Sequence, residues 1–441
     1  MNFILYIIFV LFLLIFTILM FHKSRIAGGM SLIQLVSVGL GPLVDDKLVY
    51  DNVTSIFIIL FFCWMIFMII KPWERISAYN GIVIYNDLGR WLRVYSKIFI
   101  FMGIVCTLAY IPVVVFVYSL DIDINEFKYN DGMYELFTSG ALPIPHSLLS
   151  LATLFSRISI LLVPLHFYYL CQKKYKLALL TLFASSCYLL DGMTYFSRSV
   201  PIHYFLLYLT VFYVIHKGLD KTVLRWYKRI IVLVVIYFGF QFIQTSVARF
   251  DESNEMETMS EQGDANLFKY IDDPTIVSYV DYLSQGHYNA YDLVSKYNFD
   301  TFGGKLSFST FNTLLSAFGI ELYSTDQFKK TKETLWPGKY NYSFNSFLGY
   351  IIYDFGVFLS VIFCFIYYRK VRRKVDKLRN KQISFVDFTL LTLLIQIPLN
   401  AIFYSMLSFI LMPIIIIWTI RLVSRIRLYK RSKIMTYVNV K

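Results

Sequence analysis

Along this chain, apolar residues fall in blocks of about 20, the length a helix needs to cross a bilayer, separated by short polar connections. The pattern predicts transmembrane helices near 2–21, 27–44, 53–70, 98–119, 149–170, 177–194, 200–216, 230–248, 345–368, 384–403 and 404–423, eleven in all. The second, GGMSLIQLVSVGLGPLV, is rich in glycine and short. The last two share a tight turn around Pro398, Asn400 and Tyr404. The first block lacks a basic start and a small-residue cleavage site, which predicts a retained helix rather than a signal peptide. Residues 249–344 break the rhythm, because 96 residues pass without an apolar run of membrane length.

Three regions follow: eight helices with short loops over 1–248, a long loop over 249–344, and three helices with a basic tail over 345–441. The long loop carries 14 Asp or Glu against 8 Lys or Arg, and 19 aromatic residues. That is too aromatic for a solvated tether, so a folded cap over the helices is expected. Tyr279, Tyr282, Tyr288, Tyr291 and Trp336 are there either to offer ring faces to a ligand or to build the cap's own core.

Composition agrees with the pattern. The chain is 57% hydrophobic and 16% charged with a mean hydropathy of +0.57, more apolar surface than one soluble core can hide. The expected fold is therefore all-α: a polytopic integral membrane protein of about eleven helices with one large periplasmic loop. The net charge of +13 changes the picture only through its distribution. With the N-terminus outside, the inner segments 22–29, 71–97, 171–176, 217–229, 369–381 and 421–441 hold 30 basic residues, and the outer segments hold 11. The runs RKVRRKVDKLRNK and RLVSRIRLYKRSK then serve topology and anionic lipid, not nucleic acid.

Candidate chemistry lies on the outer side. Its lysines number nine, but its arginines are Arg157, Arg198 and Arg249 alone. Arg157 stands ~12 Å along its helix from Leu149 at ~1.5 Å per residue, inside the hydrocarbon layer. A guanidinium stays charged and presents a fork of donors that fits phosphate oxygens in pairs. The three arginines thus fit the phosphates of a lipid headgroup. The alternative is structural: Arg157 paired with Asp191 or Asp354, and Arg198 and Arg249 as interfacial anchors. His146, His203 and His287 are the outward histidines, and His203 follows Arg198 at the mouth of a helix. Asp121 and Asp123 form a D-x-D, a weak metal pattern. Cys63, Cys106, Cys171, Cys187 and Cys364 all fall in or beside helices, which excludes a disulfide framework and a zinc spacing. No phosphate-binding glycine loop is present, so ATP-driven chemistry is not expected.

The segments DGMTYFSRSVPIHYFLLYLTVF and NSFLGYIIYDFGVFLS, flanking a single large loop, resemble the O-antigen polymerase and oligosaccharide repeat-unit polymerase family. The matching positions include an Asn opening a helix, Asn345, and the Asp-Phe-Gly of Asp354, Phe355 and Gly356. The resemblance implies a bacterial inner-membrane glycosyltransferase with its site facing the periplasm and no cofactor or metal. Its donor and acceptor would both be undecaprenyl-pyrophosphate-linked oligosaccharides. Membrane lipids and a chain-length-regulating co-polymerase are the implied partners. The implied catalytic set is Arg198, Arg249, Asp354 and His203, with Arg157, Asn345 and Asp191 binding substrate. A flippase for lipid-linked oligosaccharides and an O-antigen ligase are the rival expectations, although no internal helix repeat is visible.

Overall fold

The computed structural model of the chain describes residues 2–44, 53–79, 81–120, 127, 132–197, 199–233, 236, 239, 274–316, 318–341 and 344–438. Its helices are α1 (Asn2–Lys23), α2 (Arg25–Val44), α3 (Val53–Ile70), α4 (Arg90–Ser119), α5 (Gly132–Ser139), α6 (His146–Ser156), α7 (Leu162–Cys171), α8 (Tyr175–Ser185) and α9 (Cys187–Thr194). There follow α10 (Ser199–Ile215), α11 (Pro274–Ser295), α12 (Ser309–Ser316), α13 (Thr325–Leu335), α14 (Ser346–Arg379), α15 (Phe385–Leu394), α16 (Gln396–Leu399) and α17 (Leu407–Val438). A parallel pair of three-residue strands, β1 (Val83–Tyr85) and β2 (Gln382–Ser384), is set in register from Val83 on Gln382 to Tyr85 on Ser384.

This is the architecture of a helical membrane protein, because apolar chain in lipid must satisfy its backbone groups internally, and a helix does so within one segment. Among the described residues, seven helices are long and apolar enough to cross a membrane, or eight if α6 and α7, bent by 55° at their junction, count as one broken span. Arg25–Gly41 and Phe385–Leu399 are apolar but shorter. Helix therefore covers most of the described part of the predicted spans, with a turn at 157–158 and non-helical chain over 400–406. The stretch 230–248 lies mostly outside the described residues.

The six basic connections meet on one face. Glu74, at the end of α3, accepts from Lys23 at 2.8 Å, Lys71 at 2.9 Å and Arg372 at 2.8 Å. Arg75 pairs with Asp376, Arg421 with Asp87 and Lys173 with Asp220, while Gln172 donates to the Ile84 carbonyl. The strand pair β1–β2 ties 71–97 to the end of α14 on the same face. Segments that the charge count grouped together are therefore in contact with one another.

The long loop is only partly a cap. Leu293, Phe302, Trp336 and Tyr353 form a small separate core, so Trp336 is packing rather than a sugar platform. Yet α11, drawn from the same loop, does not lie above the helices. It packs along α2 and against α14. His287 Nε2 meets Gln34 Oε1 at 2.9 Å, and the Tyr291 hydroxyl donates to Ser55 Oγ at 2.5 Å. Gly286 makes this possible, since an added Cβ would stand 1.7 Å from the Ile402 carbonyl oxygen. The expectation of a loop capping the bundle is corrected here for α11, which is too polar to register as a span but whose His287 and Tyr291 bond to side chains of α2 and α3.

Candidate functional site

The break between α6 and α7 places Arg157. Ser156 and Ser159 fold their hydroxyls back onto the carbonyls of Thr153 and Ser156, and a short 3-10 turn, Ser159–Leu161, replaces regular helix. Such back-bonding serines compete with the helical ladder and favour a bend. Arg157 sits at this corner, half-buried. Its Nε is buried with no hydrogen-bond partner.

Facing the corner is Asp191 of α9. Its Oδ1 accepts from the Tyr110 hydroxyl at 2.7 Å and its Oδ2 from Ser156 Oγ at 2.8 Å. Arg157 acts electrostatically on Asp191 and on Tyr188, but among the described residues no carboxylate oxygen lies within ion-pairing distance of its guanidinium. The structural pairing foreseen for Arg157 and Asp191 is thus present as proximity and absent as a closed ion pair. Asp191, expected to bind substrate, has both oxygens occupied and serves as counter-charge.

An aromatic and polar patch continues from this point. Tyr188 stacks on Tyr204 with ring centres 6.2 Å apart. Tyr404 lies beside Ser199, and its ring is 6.2 Å from that of Tyr350. His203 of α10 is buried, its Nδ1 lies 3.4 Å from the Tyr404 hydroxyl, and its Nε2 is buried without a partner. Phe344 and Phe403 close the patch against Tyr404 and Tyr282. Arg198 lies outside the described residues, as do Arg249, Asp121 and Asp123. The chain neighbours of Arg198, Ser197 and Ser199, share a hydrogen bond of 3.2 Å beside Tyr404.

Two of the expected residues have other work. Asp354 accepts backbone N–H bonds from Leu306 at 3.0 Å and Ser307 at 2.8 Å, and its carbonyl accepts from Gly304. Each carboxylate oxygen accepts one backbone N–H, which anchors residues 304–307 to α14, so Asp354 has a structural task in addition to whatever part it takes in chemistry. Gly356 completes this junction with φ +80°, a value that suits a residue without a side chain and breaks α14 in two. Asn345 donates from Nδ2 to the Tyr340 carbonyl at 2.9 Å, and its Oδ1 is buried without a partner. His146 is exposed, its ring centre 3.8 Å from that of Phe137.

Residue-by-residue reading named His287 but missed its partner Gln34. His287, Ser37, Ser284 and Tyr291 line a small cavity between α1, α2, α3 and α11. Gln34 Nε2, Ser37 Oγ and His287 Nδ1 are buried without partners. The available signal was a lone Gln within LIQLVSV and the spacing of Ser284, His287 and Tyr291 on one helical face. Among the described residues, no group of three His, Cys, Asp or Glu is placed to hold a metal ion.

The site can therefore bind an anion through a cation at membrane depth, with aromatic faces and one unpartnered imidazole nitrogen nearby. Comparison with protein-family models, with curated proteins and with solved structures gave no match.

Proposed function

We propose that this chain polymerises lipid-linked oligosaccharide repeat units on the outer face of a bacterial inner membrane. The observation that carries the reading is Arg157: a permanent cation at a broken span, its Nε unpartnered, beside a carboxylate whose oxygens are already taken by Tyr110 and Ser156. A membrane-embedded cation with unspent hydrogen-bonding capacity suits a phosphorylated headgroup, and the neighbouring tyrosines suit sugar faces.

In the proposed reaction an acceptor-sugar hydroxyl attacks the anomeric carbon of the donor. The carbon–oxygen bond to pyrophosphate breaks, and the leaving group takes the electron pair. In this reading Arg157, Arg198 and Arg249 neutralise the charge that develops. The hydroxyl proton passes to a base, and His203 Nε2 offers a free acceptor in its neutral tautomer. The test is the length distribution of surface polysaccharide in cells. Arg157→Ala should collapse the ladder to single repeat units while the protein stays in the membrane at normal level; a full ladder would reject the reading.

A flippase is the second reading, favoured by the 55° break between α6 and α7 and the interruption of α14 at Gly356, since discontinuous helices recur in transporters. Purified protein in vesicles separates the two: a flippase moves lipid-linked oligosaccharide across the bilayer without lengthening it.

A further inference from the structure

Two turns of the long loop hold bare apolar side chains in fixed positions. In the first, Asn298 Nδ2 donates to Asp300 Oδ2 at 2.8 Å and the Asp300 N–H returns a bond to Asn298 Oδ1. Between them Phe299 is 83% exposed and held at φ +71°, an uncommon conformation for a bulky residue that costs of order 1 kcal/mol or more. In the second, the N–H groups of Phe318 and Ile320 donate to the Leu315 carbonyl and that of Leu322 to Asn312 Oδ1. Phe318 is 80% exposed, and Ile320 and Leu322 are exposed beside it.

Both turns adjoin helix surface that faces outward from the bundle. The first packs on the interruption of α14, where a methyl group at Gly356 would sit 3.5 Å from the Tyr297 hydroxyl and 3.6 Å from Thr301 Cγ2. Ahead of Gly356, residues 346–354 are buried; just after it, Phe358 is 75% exposed and Leu359 half exposed. From Gly356 to Arg369, the start of the basic run, the helix climbs roughly 20 Å at ~1.5 Å per residue, against an apolar layer of roughly 30 Å. Gly356 therefore stands within the outer part of that layer. The second turn follows α12, which packs against α17.

We propose that Phe299, Phe318, Ile320 and Leu322 are a membrane foot: they insert into the outer edge of the lipid layer that surrounds α14 and α17. Continuity with those lipid-facing surfaces selects lipid as the occupant. Exposed Asp300 next to Phe299, and exposed Glu321 between Ile320 and Leu322, limit insertion to the headgroup boundary. Asp354 then has a purpose consistent with its bonds, since it fixes 304–307 and so sets the height of the foot. The inference does not depend on which reaction the protein catalyses.

The test uses the full chain in lipid nanodiscs with a nitroxide label at Phe299→Cys, Phe318→Cys or, as control, Glu333→Cys on exposed α13. Four of the five native cysteines are buried, and the signal of the unsubstituted protein is subtracted. Collision with oxygen, which concentrates in lipid, relative to a water-soluble nickel chelate should be several-fold higher at 299 and 318 than at 333. Equal ratios at all three positions would overturn the proposal. So would a ratio that rises only with protein concentration, which would assign the patch to a second copy of the chain.

Discussion

Arg372 Nη1 donates to Glu74 Oε1 at 2.8 Å, joining residues 298 positions apart and tying the end of α3 to the end of α14. Lys23 and Lys71 share the other oxygen, so one carboxylate holds three cations. Burial pushes the Glu74 carboxyl up, but hydrogen bonds from Lys23, Arg372 and Lys71 outweigh it and hold the group at about 2.

Glu74→Gln should leave those cations facing one another and lower stability by on the order of 2 kcal/mol at neutral pH. A group depressed on folding contributes fully above its unfolded value, ~4.3, and the contribution is lost as pH falls through about 2. Thermal unfolding in detergent should therefore show a wild-type advantage at pH 7 that shrinks between those values.

Gly286→Ala should be severely destabilising, because its Cβ would overlap the Ile402 carbonyl and push α11 off the bundle. Gly29→Ala in α2 meets nothing within 4 Å and should stabilise by up to ~1 kcal/mol through helix propensity. Opposite shifts in the unfolding temperature of the two variants are the expected result.

Arg198→Lys should damage polymer formation nearly as much as Arg198→Ala if a forked pair of hydrogen bonds to phosphate is what matters. Arg249→Lys should behave alike. Losing a charge-assisted bond in a water-poor site is worth roughly 2–4 kcal/mol, or about 30- to 1000-fold in rate. Chain-length analysis of surface polysaccharide reads the effect, and a full ladder from either lysine variant would reduce that arginine to a membrane anchor.

Turnover of lipid-linked repeat units by purified protein should survive a strong chelator, because arginines are available to neutralise the leaving pyrophosphate. Loss of activity restored by magnesium or manganese would move attention to Asp121 and Asp123.

Much of this architecture was legible from local pattern. A helix in lipid satisfies its own backbone, so blocks such as NFILYIIFVLFLLIFTILMF announce themselves without reference to the rest of the chain. The basic connections were also readable, and the ion pairs of Glu74, Asp376 and Asp87 join segments that the charge count had already grouped. The site was legible only in part. Arg157 stood out because a cation within an apolar stretch is costly wherever it points, whereas Asp354 gave no sign that Leu306 and Ser307 would donate to its two oxygens.

What the sequence by itself determined is the all-helical class and the long apolar helices, since these depend on the free energy of a single segment in lipid or water. Tertiary structure alone decided that α11 enters the bundle. Its polar face is unfavourable against lipid and acceptable against Gln34 and Ser55, partners that lie 253 and 236 positions away from His287 and Tyr291. It likewise decided that Asp191 and Arg157 face each other without closing an ion pair, because that depends on how Tyr110 and Ser156 are carried to the same corner by α4 and α6.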